Sequence, residues 1–231
     1  MKNALGAVIL AIGLGSAGFL IGNGFVDAQQ PQRTVLVKGL AEKRVKADQG
    51  QWIVRYKVVN NELSGLYQSI ESTENKIKQF FLSQGFQQNE ISIQPQTIND
   101  NQGNSYGNNS NVPRFSADGS VMISTTAVDN ILTSAQKVGV LVKNEVVVTG
   151  TTTTFRYTKL NSIKPQMLVE ATQNARKAAV TFAKQSESVL GQIKNARQGI
   201  FTIKDADSDY GSDNDIYKKV RVVSTITFFL E

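Results

Sequence analysis

The chain is 231 residues long and 40% hydrophobic, with 25 lysines and arginines against 19 carboxylates for a net charge of +6. It contains no cysteine and no histidine. That excludes a disulfide framework, Ser–His–Asp or Cys–His catalysis, ordinary zinc sites and the usual general base near neutral pH.

No charged side chain occurs from Asn3 to Val26. Crossing a hydrocarbon layer takes about 20 apolar residues, so residues 3–26 read as one N-terminal transmembrane helix. Lys2 and the N-terminal amine precede the run and Asp27 follows it. The positive-inside bias leaves Met1 in the cytoplasm and places the rest of the chain in the periplasm. Ala7, Ala11, Gly15, Gly18 and Gly22 fall on one stripe of this helix, the register in which small residues let two membrane helices approach. Val26-Asp27-Ala28 also offers small residues for a signal peptidase, so cleavage at Ala28 with release to the periplasm is the alternative. The run exceeds the roughly 7–15 apolar residues of an ordinary signal core, which favours a retained anchor. Residues 1–28 are therefore expected to be an anchor or uncleaved signal, and residues 33–231 a periplasmic domain. Its basic residues are scattered, not blocked, which with export excludes a nucleic-acid partner and fits a surface near anionic lipid headgroups.

The domain opens with a short strand over 34–38 and a polar connection over 39–48. Residues 51–58 alternate cleanly, with Trp52, Val54, Tyr56 and Val58 on one face of a strand. The period then changes: Leu63, Leu66, Tyr67, Ile70, Ile77 and Phe81 predict an amphipathic helix with Asn61 as N-cap and Gly85 as its stop. A strand over 90–96 leads to the Asn-rich tract 99–111, expected to be a hairpin loop. Strand character resumes over 115–128, and Asp129 is positioned to cap a helix over 130–142. A β-rich stretch over 146–157 has a bulge or bend expected at Gly150.

A second long helix is predicted over 165–190, with Pro165 in its first turn and Gly191 ending it. Its stripe of Met167, Ala171, Ala175, Ala178, Phe182 and Val189 is dominated by alanine, so it should sit close to its neighbour. Segments 199–204 and 217–230 read as a closing antiparallel pair, with Val220, Val222, Ser224, Ile226, Phe228 and Leu230 on one face. The fold class is thus α+β: antiparallel sheets with amphipathic helices on one face, in loosely repeated strand-strand-helix-strand-strand units.

Three polar motifs invite a chemical reading. Gly103-Asn-Ser-Tyr-Gly107 has the spacing of a nucleophile elbow but lies in the Asn-rich tract of a chain without histidine. Ser134-Ala-Gln-Lys137 has serine–lysine spacing without a companion Lys-Thr-Gly. Asp205, Asp207, Asp209, Asp213 and Asp215 gather five carboxylates, a candidate for weak Ca²⁺ binding. Tyr210 stands where an EF-hand needs glycine and Ile216 where it needs glutamate, so a solvated acidic hairpin loop is the expected reading. Glu42, Glu62 and Glu90 have no spacing that supports two-carboxylate glycosidase chemistry.

The stretch Val35-Leu-Val-Lys-Gly-Leu-Ala-Glu-Lys-Arg-Val-Lys-Ala-Asp48 resembles the opening of SIMPL-domain proteins, with their Val-x-Val-x-Gly start. Asn174-Ala-Arg-Lys-Ala-Ala179 in the Ala-rich helix and the closing 220–230 strand are similar to the same family, so the resemblance spans residues 33–231. Ala47 replaces the family's proline, and Leu40-Ala41 a second glycine. The resemblance implies a bacterial envelope protein without established catalytic residues or cofactor, in a family where stress roles, a periplasmic immunogen and ring- or channel-like homo-oligomers are known. The expected function is therefore non-enzymatic: a membrane-anchored homo-oligomer serving envelope integrity or oxidative-stress tolerance. A ligand- or partner-binding module using loops 99–111 and 205–215 is the alternative. Phe229, out of phase with Phe228, is a candidate for contact with a partner subunit.

Overall fold

The computed structural model describes residues 13, 15–19, 33–102, 112–207 and 213–231. Ala7, Ala11, Gly22 and Asp209, most of the 3–26 span and residues 103–111 lie outside them. Among the described residues no helix is long and apolar enough to cross a membrane.

The element order is β1 (Thr34–Lys46), β2 (Gln49–Asn60), α1 (Leu63–Ser83), a 3-10 turn (Gln88–Glu90), β3 (Ile91–Asp100), β4 (Phe115–Thr125), α2 (Val128–Ala135), α3 (Gly139–Lys143), β5 (Val148–Arg156), α4 (Leu160–Gln185), β6 (Leu190–Gln198), β7 (Thr202–Asp205) and β8 (Tyr217–Leu230). The strands form two four-stranded sheets, one in the order β3-β4-β2-β5 and the other β1-β8-β6, with β7 also on β8. All the pairings described are antiparallel. The fold class read from the sequence, α+β with antiparallel sheets, is that of the structure. The chain divides into two compact units, and β1, α4 and β8 contribute residues to both.

The larger unit spans Leu40–Glu170 and Gly199–Val223. Its core follows from the alternation of β2, whose Trp52, Val54 and Tyr56 are fully buried while Arg55 and Lys57 face out. Against that face α1 sets Ile77, Phe80 and Phe81, and α2 sets Ile131. The aromatic centre is tight: Trp52 lies 5.1 Å from Phe81 and 6.1 Å from Phe80 between ring centroids. Arg55 lies opposite Gly150 but Tyr56 opposite Val148, so the register skips Thr149, next to the glycine where a bulge or bend is expected. Gly85, just past α1, has φ +88 and serves as its stop.

Several boundaries differ from the sequence reading. Residues 39–46 continue β1 and form no connection. The N-cap of α1 is Glu62, whose N–H is accepted by the Asn60 side chain at 3.0 Å. Asn61 instead accepts the Arg114 N–H, and Leu63 and Tyr67 are exposed, because the buried stripe runs through Leu66, Ile70, Glu74, Ile77 and Phe81. The predicted 130–142 helix is two helices, α2 and α3, and Asp129 lies inside the first turn and caps nothing. It pairs with Lys46 at 2.6 Å.

The smaller unit comprises residues 33–39, 171–198 and 224–231 among those described after the N-terminal segment. Val37, Ile226 and Phe228 pack on Ala175 and Ala179. The buried stripe of α4 is Met167, Ala171, Ala175, Ala179 and Ala183, a strict i, i+4 series, while Phe182 and Val189 are exposed. Alanine is required there because the strand comes very near: a Cβ on Gly39 would lie 1.9 Å from the Ala171 carbonyl oxygen and 2.4 Å from the Ala175 nitrogen. The helix starts at Leu160 and ends at Gln185, so Pro165 lies inside it and Gly191 belongs to β6. β6, which the sequence reading omitted, runs antiparallel to β8 from Leu190 opposite Leu230 to Gln198 opposite Ser224. Phe229 is half-buried beneath the Lys194 ammonium, 5.4 Å from its ring centroid.

Candidate functional site

The period-two face of β8 buries Lys218 together with Val220, Val222 and Ser224. A buried ammonium needs an opposing charge and filled hydrogen bonds, or it costs several kcal/mol. Register supplies the partner, since β7 places Asp205 directly opposite Lys218. The two side chains form an ion pair with 1% and 0% exposure. The Asn214 N–H donates to the other Asp205 oxygen at 3.2 Å, and the Asp213 carboxylate stands 3.5 Å from Lys218 Nζ. Backbone bonds tie this hairpin to its surroundings: Phe155 N–H donates to Asp213 O at 2.8 Å and Ala47 N–H to Ile216 O at 2.8 Å.

The acidic segment is thus matched by the chain's own cations. Arg44 pairs with Asp207 at 2.8 Å and lies over the Tyr217 ring at 4.6 Å. The Asp207 N–H points to the Asp215 carboxylate at 3.4 Å. Among the described residues no group of three acidic side chains is arranged to hold a metal ion. Asp205 and Asp207, first in the candidate Ca²⁺ series, each hold an internal basic partner.

A second buried polar pair lies under α1. The Tyr56 hydroxyl donates to Glu74 at 2.7 Å, and both side chains are buried. Burial, then the hydrogen bond to Glu74, pushes the Tyr56 phenol well above its ordinary value. Gly119 faces Tyr56 across the β2–β4 pair, and a Cβ there would lie 2.4 Å from the phenol oxygen. Glu90 accepts the Thr125 hydroxyl, and Glu42 stands 3.6 Å from Arg221. These carboxylates are dispersed, each with a local partner, and form no acid–base pair. Ser134 is 2% exposed in α2. Gly15 and Gly18 are helical and exposed, with nothing within 4 Å of a Cβ at either.

Beside α1 a groove of about 520 Å³ is lined by Lys57, Asn60, Gln68, Ser72, Lys76 and Glu145. An adjoining depression of about 520 Å³ shares Ser72 and Lys76 and extends to Gln79 and Asn144. Lys76 and Glu145 stand 3.7 Å apart across it. Its hydroxyls and amides can hydrogen-bond a polar ligand, but no activated nucleophile faces it.

The sequence reading missed Lys218, Glu74 and Tyr56 as polar centres, yet their signal was present. Lys218 shares the phase of Val220 and Val222, and Glu74 that of Ile70 and Ile77. A charged residue on an apolar stripe announces a buried pair.

The family profile described as "SIMPL: Protein of unknown function (DUF541)" matches residues 35–221. None of the curated proteins compared matches the chain. Among solved structures, an "uncharacterized conserved protein from Listeria innocua" is similar at 11% identity and TM-score 0.22, over 78% of this chain and 90% of that one.

Proposed function

The chain belongs to the SIMPL family of proteins of unknown function, and from that premise we propose that it is a non-enzymatic, membrane-anchored envelope protein that works as a homo-oligomer facing the periplasm. The reading is carried by β6. This strand lies at one edge of the β1-β8-β6 sheet, and its side chains are exposed from Gln192 to Gln198, including Ile193 and Ala196. An edge strand presents a row of backbone donors and acceptors that another strand can take up. β6 carries Lys194 and Arg197 and no carboxylate, so pairing with its own copy would set like charges near each other. Pairing with the β1 edge of a neighbouring subunit is instead heterologous, the type of contact that closes into rings.

The non-enzymatic part rests on the chemistry of the buried polar groups, which pair with one another. A role in envelope integrity or oxidative-stress tolerance fits a scaffold of this kind. The test is the native mass of the detergent-extracted full-length protein by light scattering. A closed oligomer that dissociates on Ile193→Lys supports the proposal, and a monomer of the unsubstituted chain sinks it. The groove beside α1 favours a second reading, a binding module for a polar envelope ligand.

A further inference from the structure

The net charge of this chain is concentrated in the smaller unit. Its described stretches carry Arg33 and Lys38 at β1, Arg176, Lys177 and Lys184 on α4, and Lys194 and Arg197 on β6, all exposed. Against these seven cations stand two carboxylate side chains, Glu187 and Glu231. Five of the six net positive charges thus fall on the smaller of the two units, since Lys2 and Asp27 cancel. The arrangement on α4 is more specific than the tally. From Ala171 to Gln185 the helix contains no acidic residue, and its alanine stripe is turned inward. The opposite face presents Gln173, Lys177, Val180, Thr181 and Lys184 at i, i+4, i+7, i+8 and i+11. With Arg176, the first four of these line a shallow depression of about 530 Å³. Val180, 36% exposed, is the apolar side chain of this lining, beside Arg176 and Lys177.

We infer that this outward face of α4 docks on the anionic lipid surface of the membrane that anchors the chain. The inference rests on the membrane-anchored reading, because Arg33 follows Val26 by seven residues. Even fully extended, that linker reaches only about 25 Å. A tethered basic face is held at a high effective concentration beside the headgroups. Screening confines its attraction to a Debye length of about 8 Å at physiological salt, so the lysines work only in contact. Cations on a face with an exposed apolar residue match the interfacial layer, where ammonium groups meet phosphates and a short apolar side chain enters the acyl boundary. The edges of the sheet, proposed above for assembly, are separate from this face of the helix.

The absence of native cysteine makes the test direct, since Thr181→Cys carries a unique fluorescent label. The labelled full-length chain is reconstituted into phosphatidylcholine vesicles with or without phosphatidylglycerol, with a nitroxide quencher on the lipid headgroups. Expected is quenching with phosphatidylglycerol that is absent without it and reversed near 1 M salt, where the Debye length is about 3 Å. Lys177→Glu with Lys184→Glu should reduce surface occupancy at least tenfold, since each basic residue is worth roughly fivefold. Circular dichroism checks that this double variant is folded. Equal quenching in both vesicle types, or none with phosphatidylglycerol, overturns the proposal. Flotation of the same vesicles at high salt scores the anchor separately. A chain that floats without lipid-dependent quenching retains the anchor and refutes the docking, and one that fails to float yet is quenched does the reverse.

Discussion

Replacing Lys218 by methionine is the sharpest perturbation of the larger unit. The substitution keeps the length of the side chain and removes its charge. Asp205 then remains fully buried with the Asn214 N–H as a donor, while Asp213, 3.5 Å from the former ammonium, adds a like charge. Orphaning one member of a buried ion pair costs about 3–5 kcal/mol. That is a large part of the roughly 5–15 kcal/mol by which domains are stable. Asp205→Asn should cost less, because Lys218 keeps the Asp213 carboxylate and the amide oxygen can still accept from Asn214. The double variant, Asp205→Asn with Lys218→Met, should return to within about 1 kcal/mol of the parent, since the two losses are one interaction. Urea unfolding followed by Trp52 reads this unit alone, because Trp52 is the only tryptophan and lies in its core. A loss below about 1 kcal/mol for Lys218→Met, or a double variant as unstable as the worse single, would refute the reasoning.

Other outcomes follow from the same packing. With the Tyr56 phenol held above its ordinary value, its share of stability is complete below pH 10 and declines as pH rises beyond that, by up to about 1.4 kcal/mol per unit. Tyr56→Phe should remove that decline from the alkaline stability profile while destabilising the protein at neutral pH by about 1–3 kcal/mol, because Glu74 loses its buried donor. Gly39→Ala should cost about 3 kcal/mol in a thermal or urea titration, since the atoms it meets are helix backbone and cannot swing away; an unchanged midpoint would contradict the close approach. Millimolar Ca²⁺ should give no calorimetric heat, because Arg44 and Lys218 already occupy the carboxylates of Asp207 and Asp205; a saturable heat lost on Asp213→Asn would show otherwise.

The sequence was legible where one face is buried and the other wet. β2 and β8 alternate almost without fault, and α1 shows its stripe, so their positions and inward residues follow from period alone. β6 was illegible for the converse reason. Only Leu190 at its start packs on the core and the rest is exposed, so Leu190-Gly-Gln-Ile-Lys-Asn-Ala-Arg-Gln198 has no alternation to read. Gly39 read as the start of a connection because glycine usually marks one, yet here it makes room for α4, a long-range demand no local window records. Pro165 drew the helix start five residues too late, because proline is favoured in a first turn, whereas here it lies inside the helix. The acidic segment misled in the same way. Its spacing evokes ion binding, whereas Lys218 and Arg44, which decide the matter, arrive from β8 and β1.

The ion pair between β7 and β8 has a wider consequence. It joins residues 13 apart and closes the loop between β7 and β8, as a disulfide could in an exported domain. A covalent bridge there would restrict the unfolded chain but would depend on oxidation, and reductants would undo it. This clasp needs no oxidant and assembles as the strands register. A chain without thiols, closed in this way, keeps its larger unit latched through changes of redox potential.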